Sequence, residues 1–467
     1  MILGTDGERT PGFKLFLAIV VALALTIPLF SVWLLVYDRQ SQQQEATNSI
    51  TAGWGGPQVM AGPVLVIPYR TKAVETVVQN GQSVTRASQM TKELTLAPEA
   101  VELSTKLRPD VRKRSIYEAV VYDAAVSGKA RFVLPPDLAR SGVDPDQMDM
   151  SRAELRFGLS DPRGLGANPR VVAAGRSLRM LPGGGSSGGR GFFAWLDARG
   201  LDSHPLVVDF AYDVRGNTSL SLAPQAGDTH WTVRSSWPSP SFGGDFLPTA
   251  RSVGEKGFEA TFRVGNLALG RSLITTGNPG ASNLVESVPA ANTQYKSVPA
   301  SGGDAVQSAS ISLIQPVDLY SQVNRATKYG FLFIGFTFLA LLMFDVIRGV
   351  RVSAVEYLLM GAALILFFVL LLALAEVIGF TLAYILASAA VAGLNTAYAA
   401  AVLGSWRRAS FIGALLTALY AVLYILLSLE AYSLLIGSLL LFAALAGVMY
   451  ATRRIDWGAR SEARSVA

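Results

Sequence analysis

Six long apolar stretches constrain this chain more than any other feature. The first, residues 15–37, holds 23 residues without Asp, Glu, Lys or Arg. At a helical rise of about 1.5 Å per residue, it can cross a hydrocarbon core of about 30 Å. The other five fall in the last third of the chain, at residues 329–344 (continuing past Asp345 to Ile347), 357–375, 377–406, 409–429 and 431–452. The sequence therefore predicts one transmembrane helix and, after a long polar segment, a bundle of five.

The first stretch has the features of a retained anchor. A cleaved signal peptide has an apolar core of about 7–15 residues that ends in a small-residue cleavage site. Residues 15–37 are longer and end in Trp33-Leu34-Leu35-Val36-Tyr37. Pro28 is expected to kink this helix unless neighbours satisfy the freed carbonyl. Residues 38–50 contain helix formers without an apolar stripe, so the helix is expected to continue as a solvated stalk.

The Lys and Arg residues beside the apolar stretches predict the orientation, because short cytoplasmic loops collect these residues. With the N-terminus inside, the two short outer turns carry only Glu376 and Glu430. The predicted order is a cytoplasmic N-terminus (1–14), the first span (15–37), an outer domain (38–328), a five-helix bundle (329–452) and a cytoplasmic tail (453–467). The basic residues then on the cytoplasmic side are Arg9, Lys14, Arg348, Arg351, Arg407, Arg408, Arg453, Arg454, Arg460 and Arg464.

The outer domain reads as short strands separated by turn residues. Asn80-Gly81 is typical of a two-residue hairpin turn, since both positions need positive φ. The fold class predicted is an α+β membrane protein with a β-rich domain between the first and second spans. Its sheets form one core or two packed subdomains with a boundary near 140–150. The predicted strands are 64–67, 73–78, 93–96, 101–107, 116–126, 153–159, 206–214, 219–222, 231–235, 258–264 and 310–314.

Composition excludes several classes of chemistry. The chain is 51% hydrophobic and 16% charged, with a mean hydropathy of +0.36, which is too apolar for an ordinary soluble protein of 467 residues. It contains no cysteine, so thiolate catalysis, cysteine metal sites and disulfides are excluded. The net charge of +6 is not gathered into a basic arm, and no nucleic-acid partner is expected.

The low-complexity segments contain only accidental motifs. In residues 182–191, Gly183-x-Gly185-x-x-Gly188 matches a dinucleotide fingerprint, and Gly184-x-Ser186-x-Gly188 matches a nucleophile elbow. The first motif needs a preceding strand and a following helix, and the second needs a strained turn with His and acid partners. Residues 277–308 are similarly rich in Gly, Ser, Ala, Pro and Asn. Both segments are predicted to be loops.

No catalytic, cofactor or metal site is predicted. His204 and His230 are the only histidines. Asp202-Ser203-His204 places triad residue types side by side, but a triad is assembled in space from distant segments. The run from Asp144 to Asp149 has the carboxylate density of a calcium loop without its Gly at position 6 or its Glu at position 12. The chain is therefore predicted not to be an enzyme.

Within the bundle, two polar residues are candidates for a role. Asn395 lies near the middle of the fourth span, and Asp345 lies three residues before Arg348 near the cytoplasmic end of the second. Asn395 is expected either to bond to a neighbouring helix or to line a water-filled cavity in a transporter. Asp345 is expected to pair with Arg348.

Several motifs occur along the chain in a fixed order. Trp54-Gly55-Gly56-Pro57-Gln58 opens the first of them, and the strongest is Pro316-Val-Asp318-Leu-Tyr320 running into Arg325-Ala-Thr-Lys328-Tyr329. The segments concerned are 54–69, 112–122, 159–161, 237–248, 257–260, 316–334, 406–408 and 453–457. Together they resemble the CreD family of inner-membrane, cell envelope integrity proteins.

The resemblance implies a multi-pass protein of the bacterial inner membrane with a role in envelope integrity and stress tolerance. The expected partners are the lipid bilayer and an envelope component or periplasmic protein, and the oligomeric state is left open. Arg325 and Lys328 would meet lipid phosphates while Tyr329 lies at the interface, so residues Asp318, Tyr320, Arg325, Lys328 and Tyr329 are the candidates for coupling the periplasmic domain to the bundle. The alternative function is a transporter or lipid-handling protein that uses the bundle. A periplasmic hydrolase would need paired carboxylates or a Ser/His pair, which the sequence does not indicate.

Overall fold

The computed structural model describes residues 11–51, 53–79, 82–114, 117–136, 138–184, 190–277, 307–313, 319–348, 352–428 and 433–453. Within it the chain forms two compact units. Met1–Gln44 and Val317–Ala467 make the first, here called the helical unit, and Glu45–Pro316 makes the second, the β unit. The predicted α+β class, with β structure inserted between the first and second spans, is confirmed.

The helices follow the predicted apolar stretches. The first has 41 residues and continues through Pro28 and the predicted stalk as one element. Five helices in the described part of the chain meet the length and hydropathy of a membrane span, and the last apolar helix adds 20 residues, so the prediction of six is confirmed. The described helices are α1 (Pro11–Thr51), α2 (Asn266–Leu269), α3 (Leu319–Lys328), α4 (Gly330–Arg348), α5 (Ala354–Ile378), α6 (Phe380–Leu403), α7 (Trp406–Ser428) and α8 (Ser433–Thr452).

Local sequence fixes both ends of α5. The Ser353 hydroxyl accepts from the backbone N–H of Glu356 at 3.3 Å, and the Glu356 carboxylate accepts from the Ser353 N–H at 2.6 Å. This reciprocal capping box satisfies two donors that the first helical turn leaves unpaired. Gly379, with φ of 81°, then ends α5 and begins α6 in a conformation that favours glycine.

The β unit contains long strands at its centre and short ones at its edges. Strands β1 and β2 pair up to Gln79 and Gln82, which confirms the hairpin, although Asn80 and Gly81 lie outside the described residues. The described strands are β1 (Gln58–Gln79), β2 (Gln82–Leu96), β3 (Ala100–Arg114), β4 (Tyr117–Phe132), β5 (Ala153–Leu159), β6 (Arg170–Ala173), β7 (Arg176–Ser177), β8 (Leu181–Pro182), β9 (Gly191–Leu196), β10 (Leu206–Asn217), β11 (Ser219–Ala223), β12 (Asp228–Ser235), β13 (Pro240–Gly244), β14 (Ala250–Gly254), β15 (Gly257–Gly265), β16 (Ile274–Gly277) and β17 (Ala309–Leu313).

Every predicted strand overlaps one of these elements, and β5 has the predicted bounds. The sequence did not predict β6 to β9, β13, β14 and β16. The predicted loop at 182–191 contains one residue of β8 and one of β9, and its residues 185–189 lie outside the described part of the chain. Of the predicted loop at 277–308, residues 278–306 also lie outside it.

Two sheets build the unit. Sheet 1 has the order β13-β17-β11-β1-β5-β9-β8, with β2 also paired to β1 and β16 to β2. Sheet 2 has the order β14-β15-β12-β3-β4-β10-β6-β7. Strands from before and after residues 140–150 occur in both sheets. The two sheets, rather than two successive segments of chain, are therefore the layers of this unit.

Aromatic residues join the two sheets in one core. Phe157 of sheet 1 meets Phe210 of sheet 2 edge to face, with ring centroids 5.4 Å apart. Phe242 of sheet 1 contacts Phe258 of sheet 2 in the same way, at 5.7 Å. Such pairs contribute beyond the area they bury. They fix which face of each sheet is internal.

The outer faces of the two sheets differ. Along β10 the side chains alternate between buried and exposed, as the 2.0-residue period of a strand with one solvated face requires. All seven residues of β5 in sheet 1 are buried. Sheet 2 therefore presents a polar outer face to solvent, whereas the centre of sheet 1 is covered on both faces.

Candidate functional site

The predicted coupling residues lie on α3 and at its end. Tyr320 is buried, and its hydroxyl donates to the Glu376 carboxylate at 3.1 Å. The same carboxylate oxygen lies 4.0 Å from Nε of Arg39, so this contact links α3, α5 and α1 within the helical unit. Lys328 is exposed, Arg325 and Tyr329 are half-buried, and Asp318 lies outside the described residues.

Among the residues that the structure describes, Asn395 makes no hydrogen bond to a neighbouring helix. Its side chain is 1% exposed, and its Nδ2 donates to the Val391 carbonyl of its own helix at 3.1 Å. Its Oδ1 is buried and has no hydrogen-bond partner among the described residues. The predicted cross-helix bond is wrong for the described residues, because the amide donates along its own helix to the carbonyl one turn earlier.

Asp345 pairs with Lys14, whereas the side chain of Arg348, its predicted partner, lies outside the described part of the structure. Lys14 Nζ lies 2.5 Å from the Asp345 carboxylate and 3.3 Å from the Asp345 backbone oxygen. The carboxyl group is almost wholly buried, whereas the Lys14 side chain is 21% exposed. The pair therefore joins α1 to α4. The helical i,i+3 rule, on which the Arg348 prediction relied, cannot detect a partner 331 positions away.

A groove of about 1010 Å³ runs between α6 and α7. From Tyr384 to Ala397 its length is about 20 Å at the helical rise per residue. Two threonine hydroxyls in its wall donate to their own helices, Thr396 to Ala392 and Thr417 to Gly413. Tyr384 donates to the Tyr420 carbonyl of the other helix, and the buried Tyr420 hydroxyl has no partner among the described residues. The small residues that line it are Ser388, Ala389, Ala392, Gly393, Thr396, Ala397, Ser410, Gly413, Thr417 and Ala421. The groove is therefore open and apolar in character.

In the β unit, two of the family-like segments, 54–69 and 159–161, meet at the buried side chain of Gln58. Its Nε2 donates to the carbonyls of Asp161 and Arg215, both at 3.0 Å. Its Oε1 accepts from the Asp161 N–H and the Ser160 hydroxyl, both at 3.3 Å. One amide thus uses both ends to tie β1 to the segment after β5 and to the end of β10. We call Gln58, Ser160, Asp161 and Arg215 the Gln58 cluster.

Asp161 is further held by Arg163. The Arg163 guanidinium donates to both carboxylate oxygens, at 2.9 and 2.7 Å, and the Gly56 N–H donates to one of them at 3.1 Å. The hydrogen bond from Arg163 lowers the pKa of Asp161 to about 2. The carboxylate is therefore charged at any physiological pH.

Trp54 lies beside the Gln58 cluster and meets two guanidinium groups. The Cζ atoms of Arg112 and Arg215 are 4.7 and 5.0 Å from its ring centroid. Its indole N–H donates to the Tyr122 carbonyl at 3.2 Å. The hydroxyl of Tyr122 donates to the Ser219 carbonyl, and burial raises its pKa. These cation–π and hydrogen-bond contacts give the motif residues a structural role.

A buried ionic cluster joins strands β5 and β2 of sheet 1. Arg156 donates through Nε to Glu154 at 2.9 Å, and through both terminal nitrogens to Glu93 at 3.2 and 3.3 Å. All three side chains are at most 6% exposed. The planar guanidinium satisfies two carboxylates from different strands, which a Lys ammonium could not match in geometry. This cluster was not predicted from the sequence.

The outer face of sheet 2 carries a basic cleft of about 460 Å³. Four cationic side chains and one carboxylate line it. Lys106 and Arg108 are exposed at alternate positions of β3, a spacing that could have been read from the sequence. Their neighbours come from β12 and the β14–β15 turn, which only the fold brings together. The charged lining residues are Lys106, Arg108, Arg234, Lys256 and Glu259, and the polar ones include Ser235, Ser236 and Ser252.

The histidines and the acidic run have separate positions. His204 and His230 are both exposed, in the turn before β10 and on β12. Asp144 accepts from the Asp146 N–H at 3.1 Å and Asp149 from the Ser151 hydroxyl at 2.6 Å, so these carboxylates stabilise tight turns. Over the residues described, no three His, Asp or Glu side chains are placed to share a metal ion.

Apolar helices with the length of membrane spans, interrupted after the first by a two-sheet unit, define a multi-pass membrane protein with a large β-rich insertion. The family model described as Inner membrane protein CreD matches residues 10–458. The chain is 31% identical over 442 residues to the Inner membrane protein CreD of Escherichia coli (strain K12), which covers 94% of this chain and 92% of that protein. The chain belongs to the CreD family of inner-membrane proteins.

Proposed function

We propose that this inner-membrane protein contributes to envelope integrity and stress tolerance through contacts of its β unit with a periplasmic envelope component or protein. The observation that carries the proposal is the outer face of sheet 2. Its long strands bury one side in the core and expose charged and hydroxyl side chains on the other. An extended, rigid polar face suits recognition of a polar partner. No chemical step is part of this function.

The periplasmic position of the β unit is supported by the distribution of basic residues. Placing the N-terminus inside puts Arg407 and Arg408, between α6 and α7, in the cytoplasm together with the basic C-terminal tail. The opposite orientation would expose every basic loop to the outside. The β unit, which follows the first span, then lies in the periplasm.

Crosslinking from single cysteines tests the contact surface, because the chain has no cysteine of its own. Ser104→Cys places the crosslinker on the exposed face of sheet 2, and Ser203→Cys places it on an exposed turn before β10 as the matched control. With an impermeant photo-crosslinker on cells with a permeabilised outer membrane, we expect a discrete adduct from position 104 alone. Equal patterns from both positions, or none from either, would contradict the proposal.

The groove between α6 and α7 favours a second candidate function, lipid handling. In a bilayer this groove opens onto acyl chains, and the Ser and Thr hydroxyls in its wall already donate to carbonyls of their own helices. Arg407, exposed beside Trp406 at one end of the groove, can meet a headgroup phosphate. The occupant proposed is therefore an acyl chain of a phospholipid.

Native mass spectrometry of the detergent-purified protein tests this second function. Ala397→Leu fills the groove, whereas Ala390→Leu adds the same bulk to an exposed position of α6 outside it. Retained phospholipid is expected in the parent chain and in the Ala390 variant, and is expected to be lost from the Ala397 variant. Equal retention in both variants would exclude the groove as the site.

A further inference from the structure

We propose that the basic cleft of sheet 2 binds a phosphoryl group carried by an envelope component. This inference rests on the proposed function, because it names the chemistry of the partner that the outer face contacts. The cleft lies on the outer side of strands β3, β12, β14 and β15. Its lining is fixed by strand pairing, with Lys106 of β3 directly opposite Arg234 of β12.

The charges in the cleft do not cancel. Arg234 forms an ion pair with Glu259 at 2.7 Å, which lowers the pKa of that carboxyl group. Lys106, Arg108 and Lys256 have no carboxylate partner among the described residues. On β4, the neutral Ala125 lies opposite Lys106, and Asp123, which pairs with Arg215 at 3.4 Å, lies opposite Arg108. Both nearby carboxylates are thus engaged by arginines, and three cations without an ion pair among the described residues remain.

This arrangement places two cations side by side on neighbouring strands. Like charges opposite each other on neighbouring strands repel, and Lys106 and Arg234 occupy such a pair. Core packing does not require the repulsion, since both side chains point outwards into solvent. An anion between them would relieve it and would gain charge-assisted hydrogen bonds from each cation.

Hydroxyl groups and backbone shape favour a phosphoryl group over a simple carboxylate. Ser252 lies directly opposite Glu259 in the pairing of β14 with β15, so its hydroxyl is on the outer face with the charged residues. Ser236 and Ser252 line the same cleft. Gly257, at a φ of 128°, lets β15 begin directly against the Ser235 carbonyl, where a Cβ would collide. The hydroxyl and cationic donors that line the cleft suit the three terminal oxygens of a phosphoryl group.

The experiment uses the full chain in nanodiscs of phosphatidylcholine, with inorganic pyrophosphate as the probe in isothermal titration calorimetry. Lys106→Gln with Lys256→Gln removes two of the unpaired cations. Lys129→Gln with Arg170→Gln removes two cations from the same sheet face outside this cleft, which controls for net charge. Matching unfolding temperatures would show that both variants fold.

We expect saturable pyrophosphate binding that the first pair of substitutions weakens about tenfold or more, because each lost contact to a charged group is worth over one decade. The control pair should change affinity less than twofold. Binding that is absent in the parent chain, or that both pairs weaken equally, would overturn the inference.

Two further comparisons complete the experiment. The first identifies the source of the phosphoryl group, and the second shows whether only the phosphoryl chemistry or the whole proposed function is wrong. Competition by phosphatidylglycerol vesicles would assign it to a lipid headgroup, and competition by inorganic phosphate alone would assign it to a soluble group. If the Ser104→Cys adduct forms but pyrophosphate does not bind, the contact face stands and its phosphoryl chemistry fails. If neither occurs, the proposed function fails as well.

Discussion

The two units of this protein bury charge in different ways. In the β unit, Arg156 is 1% exposed and contacts two carboxylates from different strands. In the helical unit, buried Asp345 has one cationic partner among the side chains that the structure describes, Lys14, which keeps 21% of its side chain exposed. Sheet pairing fixes the position of each strand, so a rigid guanidinium fork can be matched on several sides. A helix pair offers one flexible ammonium that can reach towards the interface.

Strand pairing and specific side-chain contacts therefore determine the structure of the β unit, whereas burial of apolar surface determines that of the helical unit. The cluster around Arg156 has little room to adjust when a partner is lost. The Lys14–Asp345 contact can be replaced by solvent or lipid headgroups near the interface. Substitutions in the β unit should therefore be the more damaging.

Removing the buried guanidinium should have the largest effect. Arg156→Met leaves Glu93 and Glu154 buried without a cation, and we expect a loss of about 3–5 kcal/mol in the free energy of unfolding. Arg199→Met is the control, because its pair with Asp197 is exposed and should matter little. Urea unfolding of the purified chain measures both. Similar midpoints for the two variants would break the comparison.

Replacing a glycine by alanine should have the second-largest effect on stability, and only in the β unit. In Gly164→Ala the new Cβ meets the Arg215 carbonyl and lies 2.5 Å from Gln58 Nε2, so about 1–3 kcal/mol of stability should be lost. Gly393→Ala on α6 has open space around it and should be neutral or slightly stabilising, since Ala favours a helix. Thermal unfolding checks this pair. A larger loss from the helical variant would contradict the account.

The Lys14–Asp345 pair should show a smaller, recoverable loss. Lys14→Met leaves the carboxylate without its partner, and we expect about 1 kcal/mol of coupling between the two positions. Adding Asp345→Asn should restore most of the stability, because a neutral amide is cheaper to bury. A double-mutant cycle on thermal stability in detergent gives the coupling. If the double variant were the least stable of the four proteins, the claim that this contact can be replaced would be contradicted.

The smallest effect concerns pH and Asp161. Its folded-state pKa of about 2 is below the ordinary value of 3.8, so its contribution to stability is present above pH 4. That contribution is lost as the pH falls from about 4 to about 2. Asp161→Asn keeps an acceptor for the Gly56 N–H but does not titrate. The slope of unfolding midpoint against pH in this range should be shallower in the variant than in the parent chain.

Much of the fold could be predicted because its signals are local. Apolar length identified the six helices, and turn residues such as Asn80-Gly81 helped to place the strands, which were predicted to be shorter than most of them are. Strand β9, a continuous apolar run from Gly191 to Leu196, lacks alternation because most of it is buried on both faces. The edge strand β14 has no buried residue and gave no hydrophobic signal.

The sites were harder to predict because their members are distant in sequence. Arg156 and Glu93 meet across β1, and Lys106 meets Arg234 through a parallel pairing of strands more than a hundred residues apart. No local rule connects such positions. The motif residues Trp54 and Gln58 were noticed through family resemblance, yet their contacts give them a structural role.

Cysteine labelling of intact cells tests most directly the claim that the β unit faces the periplasm with the outer surface of sheet 2 exposed. Ser104→Cys lies on that surface, and Ser405→Cys lies between α6 and α7 beside the basic loop. With the outer membrane permeabilised, a membrane-impermeant maleimide should label position 104 at once. Position 405 should react only after the inner membrane is disrupted. Labelling of position 405 but not of position 104 while the inner membrane is still intact would contradict this orientation.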